Sequence, residues 1–365
     1  MTRTVHIAGG GVSGLATALL LARRGVAVEV HERKATSGGR FAGGWQVLEN
    51  GSCRQDALEE IAELGIEPSF DTVPARHATF LDGAGRVFEV ASSAPFAYFV
   101  RRGGGAGSLD DALGRQARAA GAVFAPPGEA PERVDVVATG PRQADGVAKE
   151  VVFSSDLQDT VAVLFDPLLT PSGYAYLFCL GGHATFGVAQ VRGIAGLARA
   201  RDAAWARFRE VFGAFRVERL HDGGQFMNFC IPAHLSGRDG RWYVGEAAGV
   251  QDYLFGLGNR LALRSAGLVA DGLLGHWDQR AFVERLRQPM IASVALRFAY
   301  ERAGRRSFAA LCRRAARGDF RELLVQLQAP RSALRGLSRL IMAIWRERGG
   351  CRHAPVCSWC RRRPR

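Results

Sequence analysis

Lysine is almost absent from this sequence: of its 48 Lys and Arg residues, only Lys34 and Lys149 are lysines. So strong an arginine bias reads as genome composition, and chain-wide basicity gives no reason to expect nucleic acid as a partner. Apolar runs long enough to cross a bilayer are also lacking; the longest, such as residues 16–22, fall far short of about 20 residues. Only residues 1–4 stand ahead of the first apolar stretch, so no signal peptide is expected. We expect a cytoplasmic protein, attached at most to the inner face of the cytoplasmic membrane. Seven cysteines without a secretion signal point to thiols or metal ligands rather than a disulfide framework. Internal repeats are missing as well.

What is present is unevenly placed. Residues 301–365 carry 17 Arg against four acids, which accounts for the whole net charge of +13. The first 300 residues are balanced, and a hydrophobic content of 47% in 365 residues suits two packed units.

Residues 5–8 (Val-His-Ile-Ala) read as a short buried strand that runs straight into Gly9-Gly10-Gly11-Val12-Ser13-Gly14. A helical run over 15–24, a stop at Gly25, a second strand over 26–30 and an acid, Glu32, complete the unit. In that order they form the G-x-G-x-x-G dinucleotide fingerprint. Gly9 allows the tight turn, Gly11 lets the backbone approach a pyrophosphate, and Gly14 lets helix and strand pack closely. The helix N-terminus offers amide N–H groups and the positive end of its dipole. Glu32 stands where a carboxylate accepts hydrogen bonds from a ribose with a free 2′-hydroxyl. FAD and NAD share this fingerprint, and a glycine-rich turn without a ligand is the bland alternative. Gly38-Gly39-Arg40 resembles the second FAD contact of glutathione-reductase-like flavoproteins and tilts the choice to FAD.

Further along, residues 57–64 are predicted helical and 79–90 form a hairpin with glycines at its turn. Ser108 caps a helix over 109–120, with Asp110 and Asp111 in its first turn. Strands are expected over 123–125 and 134–137, the latter ending in the small-residue turn Ala138-Thr139-Gly140, as suits a strand that meets a ligand. Between 151 and 231, short apolar stretches (160–165, 174–180, 184–191, 226–231) alternate with turns around one helix near 203–212. A buried strand returns over 241–244, followed by a helix over 259–274. The expected architecture is α/β. A Rossmann-like FAD-binding domain of glutathione-reductase type spans 1–75, 100–155 and 235–280, and an antiparallel-sheet substrate domain is inserted over 76–99 and 156–234. A C-terminal helical segment (281–348) and a basic Cys/His-containing tail (349–365) follow.

Together these motifs resemble the geranylgeranyl reductase branch of the FAD-dependent oxidoreductases, relatives of aromatic-hydroxylase-type monooxygenases and lycopene cyclases. Besides the fingerprint, the resemblance rests on Val244-Gly245-Glu246-Ala247-Ala248-Gly249 and Gly256-Leu257-Gly258-Asn259, similar to the family's second FAD motif. It rests also on Gly173-Tyr174-Ala175-Tyr176-Leu177-Phe178, similar to the aromatic strand that lines the reductases' substrate cavity. The resemblance implies FAD contacts from Gly9, Gly11, Val12, Ser13 and Gly14, with Glu32 and Arg33 at the ribose. It implies further contacts from Gly39, Arg40, Arg102, Thr139 and Gly140, and from Gly245, Glu246, Gly256, Gly258 and Asn259. Tyr174, Tyr176 and Phe178 are implied in the substrate cavity, with Phe186, Phe226 and Phe229 as further aromatic candidates; sheet core is the alternative for each. Glu246 replaces the family's usual aspartate, Tyr253 stands where proline is expected, and Cys179 ends the aromatic strand where proline is usual.

The implied activity is FAD-dependent reduction of C=C bonds or dehydrogenation of C–C bonds in an isoprenoid, lipid or aromatic substrate. A flavin monooxygenase is the alternative. A non-catalytic binding protein, attached to membrane or nucleic acid through its tail, is the reading from another class. No catalytic residue is carried over. With no second dinucleotide fingerprint, electrons come from transiently bound NAD(P)H, an electron-donor protein or another reductant. In the tail, Cys351, His353, Cys357 and Cys360 have ligands suited to a Cys3His zinc site; a disordered basic end or a Cys357–Cys360 redox pair are the alternatives. Residues 332–346 place Leu334, Leu337, Ile341, Ile344 and Trp345 at helical spacing among arginines, a stripe that fits either an anionic membrane surface or the parent protein.

Overall fold

The computed structural model describes residues 3–129, 131–328, 332–344 and 356–358, with side chains at 332–335 and 344 excepted. Three sheets organise it. The first is a five-stranded parallel sheet in which Val5–Ala8 lies between Val28–His31 and Val136–Val137; Trp242–Tyr243 and Val123–Phe124 form its edges. The helices Val12–Ala22 and Asn259–Leu273 pack on each other and on this sheet, and every residue of the first is buried. The fingerprint helix begins at Val12, three residues earlier than its apolar run suggests, because Gly11 is already extended and accepts from Leu15 N at 2.9 Å.

The second sheet has seven strands, ordered Glu218–Met227, Gly146–Ser154, His183–Gln190, Gly173–Leu180, Thr160–Phe165, His77–Asp82 and Val87–Ala91. All its pairings are antiparallel except that of Thr160–Phe165 with His77–Asp82. Period-two alternation gives it two apolar faces. Ala175, Leu177 and Cys179 pack under the helix Leu197–Phe212 with Phe186 and Phe208, whereas Tyr176 and Phe178 face the opposite side with Phe80 and Phe99. A third, antiparallel sheet of Trp45–Glu49, Ala97–Arg101 and Thr72–Ala75 closes that opposite side.

One sequence expectation shifts here, and one strand is new. The strand expected over 226–231 instead runs from Glu218 to Met227, mostly exposed, and ends where Phe229 turns inward. Its polar residues are tolerated because it is the sheet's edge. Gly146–Ser154 is a full nine-residue inner strand despite Lys149 and Glu150 in its middle.

The C-terminal helices pack on the body. Gln288–Tyr300 lies against Ser332–Ile344, and Arg305–Ala315 lies on the strand His77–Asp82 and the edge strand Val87–Ala91. Arg305 pairs with Asp166 at 2.7 Å, and Asp319 accepts from Ser92 and Ser93. No helix among the described residues is long and apolar enough to cross a membrane. The stripe of the last helix is rotated from the expected one: Ser338 and Ile341 are buried, while Leu337 and Leu340 are 51% and 60% exposed.

Candidate functional site

The glycine turn does three different jobs at three positions. Gly9 has φ +111° and lies so close to the next strand that an added Cβ would sit 2.4 Å from Ala138 O. At Gly14 an added Cβ would lie 2.0 Å from Gly9 O, so helix and turn meet backbone to backbone. Nothing lies within 4 Å of the equivalent point on Gly11, which faces open space. That space is a cavity of ≈ 940 Å3, whose wall includes Gly9, Gly11, Val12 and Ser13. Gly14 and Gly245 are packing positions outside the cavity wall; a Cβ on Gly245 would strike Ser13 Oγ at 2.4 Å.

Two helix N-termini open on the cavity. Neither Val12–Ala22 nor Asn259–Leu273 has a side-chain cap, and Gly256, Gly258 and Asn259 join the first helix's residues in the wall. Uncapped amides at two positive dipole ends suit an anionic group, and the open floor at Gly11 gives it close approach to the backbone. Glu32, also in the wall, accepts from Gly10 N at 2.7 Å and Lys34 N at 2.9 Å. One carboxylate therefore fixes the turn and leaves lone pairs for hydroxyl donors. Arg33, Gly39, Thr139 and Gly140 also line the wall. These residues fit a dinucleotide such as FAD.

Arg40 bridges two distant segments, donating to Glu246 at 2.6 Å and to the Phe226 carbonyl at 2.6 Å. Burial pushes the Glu246 carboxyl up, and Arg40 pulls it back. Arg102 is buried and held by Asp110 from the first turn of its helix, at 2.7 and 3.1 Å; it also donates to Asn259 at 2.7 Å and lies over Phe41. Arg101 turns away to Asp71.

Beyond the polar end, the cavity continues into an aromatic chamber. Tyr174, Tyr176 and Phe178, alternate residues of one strand, line it with Phe80, Phe99 and Phe165. Phe226 also reaches the wall. Phe186 does not, because it faces Trp205 and Phe208 on the other side of the sheet, and Phe229 packs on Tyr253. Phe320, Leu324 and Gln328 of the helix Phe320–Gln328, to which the sequence assigns no role in the site, also line the wall.

A second feature escaped the sequence reading. Glu150, 8% exposed, enters the cavity wall from the mixed sheet. Its carboxyl accepts from Tyr176 OH, from Gln46 Nε2 at 3.0 Å and from Gln225 Nε2 at 2.6 Å. Burial pushes this carboxyl up, against the pull of its three donors. Burial also raises the phenols of Tyr174 and Tyr176. An inner-strand acid flanked by Lys149 looks like a surface turn in sequence, and its partners lie 104, 26 and 75 residues away.

Outside the cavity, His183 is half-buried, with Nε2 2.9 Å from Gly43 O. Cys53 accepts from Arg260 at 3.1 Å and Arg264 at 3.5 Å, both of which pair with buried Glu60. Of the tail quartet, Cys351, His353 and Cys360 lie outside the described residues. Cys357 is buried, where residues 356–358 bond to the backbone of Ile231 and Ala233.

Comparison with known proteins places this geometry. The description of NAD(P)-binding Rossmann-like domains matches residues 7–54. The chain is 55% identical over 40 residues to hydroxysqualene dehydroxylase of Rhodopseudomonas palustris, a match spanning 11% of this chain and only 10% of that protein. Among solved structures, a geranylgeranyl bacteriochlorophyll reductase-like protein from Thermoplasma acidophilum superposes with TM-score 0.68 at 15% identity, covering 94% of this chain and 99% of the other. A flavin-dependent brominase superposes with TM-score 0.63 at 16% identity, covering 94% and 99%. The chain shares the fold of these two solved proteins. The α/β architecture expected from sequence, Rossmann-like sheet and helical C-terminus included, is the one observed.

Proposed function

We propose that this chain is an FAD-dependent oxidoreductase acting on a hydrophobic isoprenoid, lipid or aromatic substrate, by C=C reduction or C–C dehydrogenation. One observation carries the reading: a single cavity runs from the glycine turn and Glu32 to the chamber of Tyr174, Tyr176 and Phe178. A dinucleotide and an apolar molecule would share one space, with Phe320 and Leu324 in its wall. When bound, FAD would supply the electron and hydride chemistry.

The chain's own residues bind, orient and hold protons. The two helix N-termini and the turn amides would receive the diphosphate, and Glu32 the ribose hydroxyls. Arg40, Glu246, Arg102 and Asn259 would fix the middle of the cofactor by joining three segments around it. In the apolar chamber, Glu150 and Tyr176 form a hydrogen-bonded pair in the wall. Burial raises the Glu150 carboxyl above its usual value, beside a phenol that burial also raises, and such a pair suits protonation or anchoring of a substrate oxygen or carbanionic carbon. NAD(P)H or a donor protein would supply the electrons. The exposed Leu337 and Leu340 beside Arg339 support docking of the last helix on an anionic membrane. A Cys351, His353, Cys357 and Cys360 zinc site stays a reading of sequence alone.

The absorbance spectrum of the reconstituted protein tests the core of this proposal. Flavin bands with about one FAD per chain are expected, and a protein that binds no FAD overturns it. Oxygen uptake in the presence of hydrophobic substrates then separates the two chemistries: stoichiometric incorporation of oxygen into product favours the monooxygenase.

A further inference from the structure

Inner strands of a parallel sheet are covered on both faces and ordinarily read as unbroken apolar runs. Here the two strands that carry the fingerprint alternate instead. Ile7, Val28 and Val30 point into the core beneath the helix Val12–Ala22, while His6, Glu29 and His31 share the opposite face. The register pairs His6 with Glu29, and His31 follows two residues on.

The three side chains converge. His6 Nδ1 lies 3.2 Å from His31 Nε2 and 3.2 Å from Glu29 Oε2, and His31 Nε2 lies 3.6 Å from the same carboxylate oxygen. Ligand atoms held about 2.1 Å from a tetrahedral ion stand about 3.4 Å apart, close to this triangle. We propose that His6, Glu29 and His31 form a binding site for a divalent transition-metal ion of zinc type, its fourth position open to water. Two imidazoles and one carboxylate are a zinc donor set, and no other such trio converges among the described residues. The nearby charges are engaged elsewhere: Asp135 accepts from His6 N and pairs with Arg3 and Arg133. His31 is buried, whereas the His6 and Glu29 side chains are 27% and 30% exposed, which leaves an entry path from one side. His31 Nδ1 has no hydrogen-bond partner, so the site lacks an outer acceptor that would strengthen this ligand; an exchangeable ion is expected rather than a permanent one. Because Gly9 N donates to His31 O at 2.8 Å, the ion would brace the two strands where the glycine turn leaves them.

The test uses zinc itself and the full chain with its flavin. Wild type, His6→Asn and Glu29→Gln are stripped with chelator, dialysed against zinc, and analysed for metal. Wild type should retain about one more zinc per chain than either variant, at an affinity at least about 100-fold higher at this site. Added zinc should raise the Tm of wild type and not of the variants. Taking the difference cancels any zinc held by tail thiols, which all three proteins share. Circular dichroism shows that each variant folds; should His6→Asn fail to, Glu29→Gln, on a partly exposed side chain, decides alone. Equal zinc contents in folded wild type and variant, with no Tm response, overturn the proposal. Neither readout depends on flavin chemistry.

Discussion

The two ends of the cavity are built on different principles. At the dinucleotide end the chain works mostly with backbone: a turn, two helix N-termini and one carboxylate, nearly all drawn from residues 9–40 and 256–259. At the apolar end it works with side chains delivered by two sheets and a C-terminal helix. Local chain chemistry can specify the first end, because glycine spacing and a helix start are short-range facts. Only tertiary packing can specify the second.

The sharpest way to break this comparison lies within the fingerprint. Gly14→Val would drive a side chain into Gly9 O, so a loss of at least about 3 kcal/mol in stability is expected, with flavin lost as a consequence. Gly11→Ala should do the reverse. Its backbone is extended and its Cβ meets nothing, so stability should stay within about 0.5 kcal/mol while FAD affinity falls. Denaturant melts of the apo forms beside FAD titrations separate the two; equal effects at both positions would mean that the turn is purely structural.

Glu32→Ala comes next. FAD binding should weaken by about 1–3 kcal/mol as a charged acceptor is removed. Sequence alone suggests that the apo protein would hardly notice. The structure says otherwise, because Gly10 N and Lys34 N both lose their acceptor, and a further loss of about 1 kcal/mol in apo stability is expected. Urea unfolding of apoprotein measures it.

Phe320→Ala probes the other end. Phe320 packs edge-on against Phe80 and Phe96, and its removal should cost about 1–2 kcal/mol, less than a fully buried ring because it is only partly covered. The flavin spectrum should not move, while selectivity should shift toward bulkier substrates. A changed flavin spectrum would show the two ends to be coupled.

This division explains what could be read without a structure. The first strand, the fingerprint, the hairpin, the cap at Ser108 and the helix from Asn259 all carried local signals and lie where expected. So did the aromatic strand, whose period-two spacing put Tyr174, Tyr176 and Phe178 on one face. The strands Trp45–Glu49, Thr72–Ala75 and Ala97–Arg101 were not legible, since they are short and gain their apolar faces only by closing the chamber. For Phe186 the sheet-core alternative holds, because aromatic character alone does not say which face of a sheet a residue takes, and Phe229 packs on Tyr253 beyond the end of its strand. Phe320 and Leu324 of the chamber wall lie in the arginine-rich region, where charge hides two apolar residues that matter.

Glu150→Gln carries the smallest expected effect on folding and the most specific one on mechanism. Amide and carboxyl have the same shape; the glutamine oxygen can still accept from Tyr176 and Gln46, and Gln225 can turn its own amide to meet the new NH2. The sign of the pH effect follows from burial. In the folded chain the Glu150 carboxyl is raised above its usual value of 4.5, so above that value the folded state keeps a proton that the unfolded state has lost. Wild-type stability therefore falls as pH rises from about 4.5 through the folded value, and stays lowered beyond it. Glutamine removes that slope. The Tm difference should accordingly move in favour of Glu150→Gln with rising pH, and a difference that stays flat from pH 5 to 8 would mean that the carboxyl is ionised throughout. Turnover adds the functional arm: with the flavin spectrum unchanged, kcat should fall if the carboxyl gives a proton to substrate, whereas a change in KM alone would make it an anchor.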